Sequence, residues 1–379
     1  MSPAPVQFTT DARKRAAQGD LLFCVRGSTT GRMNWADREY AIGRGIAAIR
    51  HKQDERLQHF VRAVIEYGLP DLLAQATGST FPNVSSAQLA DIPYPDIEVD
   101  EQRTIAGVLG ALDDKIEQNR RTAQALEQLA RAIFRAWLVD FEPVKAKAAD
   151  AASFPSMPQP VFDALPTRFV DSDIGPVPEG WEVKAATDVA IVAIGKTPPR
   201  KEPQWFTTDP SQMPWVSIRD MGTCGVFIGT TSEYLTHEAV ERFRVRRIPD
   251  RSVLFSFKLT LGRVAIADGE ITSNEAIAHF IPEFPDSIGV EYLYCYLVEF
   301  DHNQLGSTSS IATATNSRIV KEMPVLVPVS STAEAFTELT RPMFNELSSL
   351  TRESNKLAEM RDYLLPKLLS GQVRVKVER

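Results

Sequence analysis

Cysteine is scarce. The 379 residues hold only Cys24, Cys224 and Cys295, far apart and odd in number. That excludes a disulfide framework and a Cys-x-x-Cys metal site, and leaves three small buried hydrophobes. The histidines His51, His59, His237, His279 and His302 are isolated and lack metal-ligand spacing. Gly-rich phosphate loops, HExxH, GxSxG and the NPPY-type motif of adenine methyltransferases are all missing. The expectation is a non-enzyme with no catalytic residue, metal or cofactor. No apolar run approaches a membrane span, and the N-terminus MSPAPVQFTT has no apolar signal core, so a cytoplasmic protein without membrane contact is expected. A net charge of -7 argues against indiscriminate nucleic-acid binding but permits a focused footprint, because charge acts within a Debye length.

What the chain does have is a long heptad seam. Ile105, Leu109, Leu112, Ile116, Asn119, Ala123, Leu126, Ala130, Ile133 and Trp137 follow a 4-3 spacing without a slip, the signature of a coiled-coil helix rather than an ordinary amphipathic core helix. Its polar member, Asn119, is expected to fix register. A second seam runs through Phe336, Leu339, Met343, Leu347, Leu350, Ser354, Leu357, Leu364 and Leu368. Arg361 falls where that spacing wants an apolar residue, and Met360 is expected to take over the packing. Asp113 and Asp114 are expected on a solvated face. Two seams in one chain predict an intramolecular antiparallel pair.

An internal repeat sets the architecture. At an offset of about 231 residues, Leu22-Phe23 matches Leu254-Phe255 with one residue of slippage, Gly31-Arg32 matches Gly262-Arg263, Ile46-Ala47 matches Ile277-Ala278, and Leu126 and Ile133 match Leu357 and Leu364. The fold class is therefore α+β: two copies of a globular unit, each followed by a long helix. Arg56 to Tyr67 reads as a helix ended by Gly68-Leu-Pro. The copies are unequal, since the residues from Ile174 to about Ser232 have no counterpart in the first. Expected boundaries are 1–100 for a shortened first domain, 101–143 for the central helix, 144–173 for a loose linker, 174–328 for a complete second domain, 329–371 for the C-terminal helix and 372–379 for a tail.

Loops at the ends of predicted strands carry Thr197, Arg200, Lys201, Ser217, Arg219, Lys258, Thr260, Arg263, Asn274, Thr315, Asn316 and Arg318, and the first copy carries Arg26, Ser28, Arg32 and Arg44. These residue types hold phosphates and read base edges. The four segments Thr197 to Lys201, Ser217 to Asp220, Lys258 to Arg263 and Thr313 to Arg318 are expected to converge on one DNA-facing surface.

The stretches Leu112-Asp-Asp-Lys-Ile-Glu-Gln-Asn-Arg-Arg121, Ala132-Ile-Phe-Arg-Ala-Trp-Leu-Val-Asp-Phe-Glu-Pro-Val144, Gly175-Pro-Val-Pro-Glu-Gly-Trp181 and Arg361-Asp-Tyr-Leu-Leu-Pro-Lys-Leu-Leu-Ser-Gly371 resemble the DNA-specificity subunits of type I restriction-modification systems, over nearly the whole chain. The resemblance implies two target-recognition domains that each read half of a split sequence in double-stranded DNA. It also implies an antiparallel helical spacer, and docking of methyltransferase (M) subunits and, in the full complex, a restriction (R) subunit. About 50 Å of helix is then enough for roughly 15 base pairs. The alternative is a truncated relic or interaction scaffold that binds methyltransferase subunits without productive DNA recognition. The shortened first domain departs from the family pattern. It is expected to leave an open sheet edge and an uncovered apolar patch, filled by a separately encoded fragment or a second copy, and to reach DNA only in that assembly.

Overall fold

The structure is a computed structural model and describes residues 7–76, 82–282, 288–302 and 316–375. The chain divides into two compact units, residues 1–121 with 352–379 and residues 122–351, and both divisions fall inside long helices.

The first unit is built on three antiparallel strands, β1 (Leu21–Cys24), β2 (Met33–Trp35) and β3 (Ile46–Ile49), in the order β2-β1-β3. β1 is a continuous apolar run because both its faces are covered. Leu21 and Phe23 pack with Ile65, Leu72 and Val84. Leu22 packs with Ala16 and Ala36, under a short ladder between Arg15–Ala16 and Tyr40–Ala41. The expected uncovered patch is therefore absent over β1, where Leu21, Leu22 and Phe23 are 1%, 8% and 0% exposed. Helix α1 (Gln58–Ala74) supplies the cover and runs through Pro70 instead of stopping at Gly68. The proline forfeits one backbone hydrogen bond, but Leu72 and Leu73 beyond it continue the buried stripe onto the sheet.

The first long helix, α2 (Val99–Phe134), starts in this unit. Ile105, Ala106 and Leu109 share a core with Leu57, Phe60, Leu365, Leu368 and Leu369. Further along, Asp113 Oδ1 accepts from Arg361 Nη1 at 2.9 Å, and Asn119 Nδ2 donates to Glu353 Oε2 at 2.7 Å. Partner numbers fall as α2 numbers rise, so the C-terminal helix runs antiparallel to α2 within this unit. Two expectations change here. Met360 is 46% exposed and does not fill the seam. Arg361 stays there, forking onto Asp113 and Glu66, while Asp113 also meets Arg62 at 2.9 Å. Asp113 is thus part of an ion cluster, its side chain 12% exposed. A guanidinium can occupy a seam position because its stem is apolar and its fork reaches carboxylates beyond.

In the second unit β4 (Ile191–Ile194), β5 (Met213–Val216), α3 (Ile218–Met221), β6 (Phe227–Ile228), β7 (Val253–Ser256), β8 (Val264–Ala267), β9 (Thr272–Ser273) and β10 (Ile277–Ile281) follow in chain order. Five of them form a sheet ordered β6-β8-β7-β10-β4, and β9 pairs with β5 in a second sheet. The repeat is visible strand by strand. Leu21 lies opposite Trp35 and Ile49, as Val253 lies opposite Ile266 and Phe280. The central strands correspond at an offset of 232 and their neighbours at 231, which is the slippage seen in the sequence. Both connecting turns close on a left-handed glycine, Gly31 at φ 91° and Gly262 at φ 90°. The outer edges that β4 and β6 occupy in the second unit have no paired strand in the first among the described residues.

Residues 144–173 are not a loose linker. Glu142–Ala148 and Gln159–Ala164 are helical, and Val144, Met157, Phe162 and Leu165 are buried in the second unit's core with Trp137 and Trp181. Helix α4 (Val290–Glu299) covers the sheet, α5 (Ser317–Lys321) follows, and α6 (Ser330–Leu369) is the second long helix. In this unit Phe134 packs edge-on to Phe336 at 5.5 Å. Of the expected seam, Asn119, Leu347 and Leu350 are buried. Leu112, Ile116, Leu126, Ile133, Leu357 and Leu364 are only half-buried, as suits a helix with a single partner covering one side of each seam residue. No helix of the described residues is long and apolar enough to cross a membrane.

Candidate nucleic-acid interface

In the second unit the chain leaves β4 through Gly195, whose added Cβ would sit 2.1 Å from Asn274 O. Only glycine permits that approach, and it brings the loops together. Lys196 N donates to Ser273 O at 2.8 Å and Asn274 N to Val216 O at 3.1 Å. Trp215 Nε1 donates to Lys196 O at 3.3 Å, and Phe257 N to Ala276 O at 3.0 Å. The Arg263 guanidinium donates to Ile218 O. Segments 195–200, 215–219, 257–263 and 273–276 therefore meet at one end of the sheets.

The residues named from the sequence divide by what already occupies them. Ser217 caps α3, its hydroxyl donating to Asp220 Oδ2 at 2.6 Å. Thr197 donates to Glu275, and Asn274 Oδ1 accepts from Ala276 N at 3.0 Å. Arg200 forks onto Glu233 at 2.8 and 2.9 Å and stacks on Phe206 and Trp215 at 4.0 and 4.5 Å. Arg263 lies against Gly222, where a Cβ would be 2.4 Å from its Nη1. These side chains build the surface. Lys201, Arg219, Lys258 and Thr260 are exposed, and among the described residues no ion pair engages the three cations.

The fourth expected segment stands apart. Asn316 caps α5, accepting from Arg318 N and Ile319 N, and Arg318 is paired with Glu322 at 2.7 Å. α5 packs against residues 186–189, which precede β4 rather than follow it. Thr315 lies outside the described residues.

In the first unit, Cys24 N donates to Arg32 O and Val25 N to Gly45 O, both at 2.9 Å, so the turns carrying Arg26, Ser28, Arg32 and Arg44 adjoin one end of β1. All four residues are exposed. Among the described residues Arg26, Arg32 and Arg44 hold no carboxylate, whereas Arg13, Arg15, Arg50, Arg56 and Arg62 each do. Unpaired cations on adjoining turns suit a polyanion.

Sequence reasoning missed the stretch from Phe243 to Arg247. Lys196 Nζ donates to Phe243 O at 2.6 Å, which draws the exposed Arg244 and Arg246 toward the loop cluster. The only advance signal was their charge. His279 is fully buried beneath the cluster, 2.6 Å from Ser273 Oγ. Burial, and secondarily the nearby Arg246 charge, bring its pKa down to about 3, so it is a neutral core group.

Comparison with known proteins fits this geometry. The chain is 26% identical to the type I restriction enzyme HindI specificity subunit of Haemophilus influenzae, covering 96% of this chain and 88% of that protein. It is 26% identical to the MjaIX specificity subunit of Methanocaldococcus jannaschii, covering 79% of this chain and 64% of that one. The solved structure of a type I restriction-modification S subunit from M. genitalium shares 15% identity, covers 93% of this chain and 83% of that chain, and has a TM-score of 0.48. Residues 9–128 and 178–350 match the family described as type I restriction modification DNA specificity domain, and the chain belongs to that family.

Proposed function

We propose that the chain is the DNA-reading, non-catalytic subunit of a type I restriction-modification complex, recognising a split target with one globular unit per half-site. The carrying observation is the repeat: two units share one strand register and the same glycine-closed turn, and each presents unpaired cations from loops at one sheet end. In the second unit the readers are Lys201, Arg219, Lys258 and Thr260, on a frame of Thr197, Arg200, Ser217, Arg263 and Asn274. In the first they are Arg26, Ser28, Arg32 and Arg44. The antiparallel stretches of α2 and α6 act as a coiled-coil spacer and as the dock for methyltransferase subunits, with the restriction subunit joining the full complex in the cytoplasm. The outer edge of β3 is the place where a second copy or a separate fragment adds strands. Domain limits follow as 1–100 and 174–328, with residues 144–173 joined to the second core.

The test is copurification with the methyltransferase partner, followed by genome-wide mapping of methylated adenines. The expected result is one discontinuous motif. A stable complex that methylates without site selection would favour the interaction-scaffold reading.

A further inference from the structure

The tip of the β7–β8 hairpin holds a residue that the chain does not use for itself. Leu259 is 91% exposed, has φ 65°, and is spanned by a hydrogen bond from Thr260 N to Lys258 O at 2.8 Å. A two-residue bond around a positive-φ centre is the strained form of the γ-turn. Leucine there has neither the conformational freedom of glycine nor the local hydrogen bonding of asparagine. It contacts no core, so both its backbone conformation and its exposure weigh against the folded chain alone. Strain of this kind, held in place by surrounding structure, is characteristic of binding sites. The surroundings are suitable: Ser256 Oγ accepts from Arg263 N at 2.9 Å and donates to Thr260 O at 2.6 Å, bracing the turn from inside, and Lys258 and Thr260 flank the leucine with an exposed cation and hydroxyl.

We propose that Leu259 is a specificity-determining residue of the second unit, making an apolar contact with the C5-methyl group of a thymine in the major groove. The groove accepts a two-stranded β-ribbon, and the thymine methyl is the one apolar group on its floor. Lys258 then faces phosphate, and Thr260 a neighbouring base edge or phosphate. This assignment rests on the DNA-reading function proposed above and names what one position of that surface reads.

The experiment compares wild type, Leu259→Asn and Leu259→Met, each in complex with the methyltransferase partner, by fluorescence anisotropy. The probes are a duplex carrying the mapped motif, a scrambled duplex, and motif duplexes in which single thymines of the half-site are replaced by deoxyuridine. Leu259→Asn is expected to keep or raise the melting temperature and to lower motif affinity roughly tenfold, within the range for one lost base contact. Scrambled-duplex binding should not change, and Leu259→Met should retain most of the affinity. One uracil substitution should weaken wild type and leave Leu259→Asn indifferent. Unchanged motif affinity in Leu259→Asn overturns the proposal, as does a loss that is the same on thymine and uracil duplexes at every position. Failure of wild type to distinguish motif from scrambled DNA would instead overturn the DNA-reading function itself.

Discussion

Replacing Arg361 by leucine separates heptad reasoning from the structure. By spacing alone, leucine completes the α6 seam and should stabilise it. In the structure Arg361 lies 2.9 Å from Asp113 and 3.7 Å from Glu66, with Arg62 also 2.9 Å from Asp113. The Arg361 and Asp113 side chains are 19% and 12% exposed. Burial disfavours the charged guanidinium, but Asp113, Asp362 and Glu66 outweigh it and raise its pKa. Without Arg361, two carboxylates share Arg62 in a partly dry site. Breaking a fully buried pair costs roughly 3–5 kcal/mol. Residual water and Arg62 reduce that here, and leucine packing offsets part of the remainder, leaving a net loss of about 1.5 kcal/mol. For a unit of this size that is roughly 3–6 °C in a calorimetric scan. Arg361→Leu combined with Asp113→Leu removes both charges and should recover most of the loss, giving a coupling of about 1–2 kcal/mol. A single variant as stable as wild type, or a cycle without coupling, would show that the cluster is incidental to the fold.

The seam should also be uneven. Leu347→Ala, at a site 1% exposed, should cost about 2–5 kcal/mol, while Ile116→Ala, at the repeat-equivalent but half-buried site, should cost about 1 kcal/mol; equal urea midpoints for the two would contradict the burial pattern. Acid should weaken the second unit through His279, whose folded pKa of about 3 lies below its ordinary 6.5. Between those values the unfolded chain binds a proton that the folded chain refuses, so stability is full above 6.5 and is lost as pH falls toward 3. By pH 5 the loss is about 2 kcal/mol. His279→Gln should flatten the difference between pH 7 and pH 5 in urea unfolding, and an unchanged difference would assign the acid sensitivity to other groups.

Periodicity made the long helices legible, because 4-3 spacing is a local signal that tertiary context rarely reverses over many turns. The repeat was legible for a similar reason: β1 and β7 lie at the centre of their sheets, and central strands keep their apolar runs. What the sequence concealed depends on partners distant in the chain. Nothing local marks Arg361 as preferable to Met360 in the seam, since the choice is made by Asp113 and Glu66 from other helices. Pro70 reads as a stop until the leucines after it are seen against the sheet. Residues 144–173 look like a linker by composition, yet Val144, Met157 and Phe162 find a core that only folding supplies. In the loops, residue type picked out polar and charged candidates for DNA contact. It could not distinguish Arg200, already committed to Glu233 and two aromatic rings, from Arg219, which is exposed and has no ion pair among the described residues.

That distinction bears on the repeat itself. Arg32 and Arg263 occupy equivalent positions, each following a left-handed glycine at the same register, yet their circumstances differ. Arg263 is drawn inward because α3 offers the carbonyl of Ile218 and the bare face of Gly222. The first unit has no counterpart of α3 among its described residues, so Arg32 is left exposed and without an ion pair. The same residue at the same structural address thus braces the surface in one unit and is free to meet a ligand in the other. In the second unit an exposed cation sits on α3 itself, as Arg219. A binding role therefore cannot be transferred between the halves by alignment alone. It follows from whether a neighbouring element satisfies the guanidinium before DNA can.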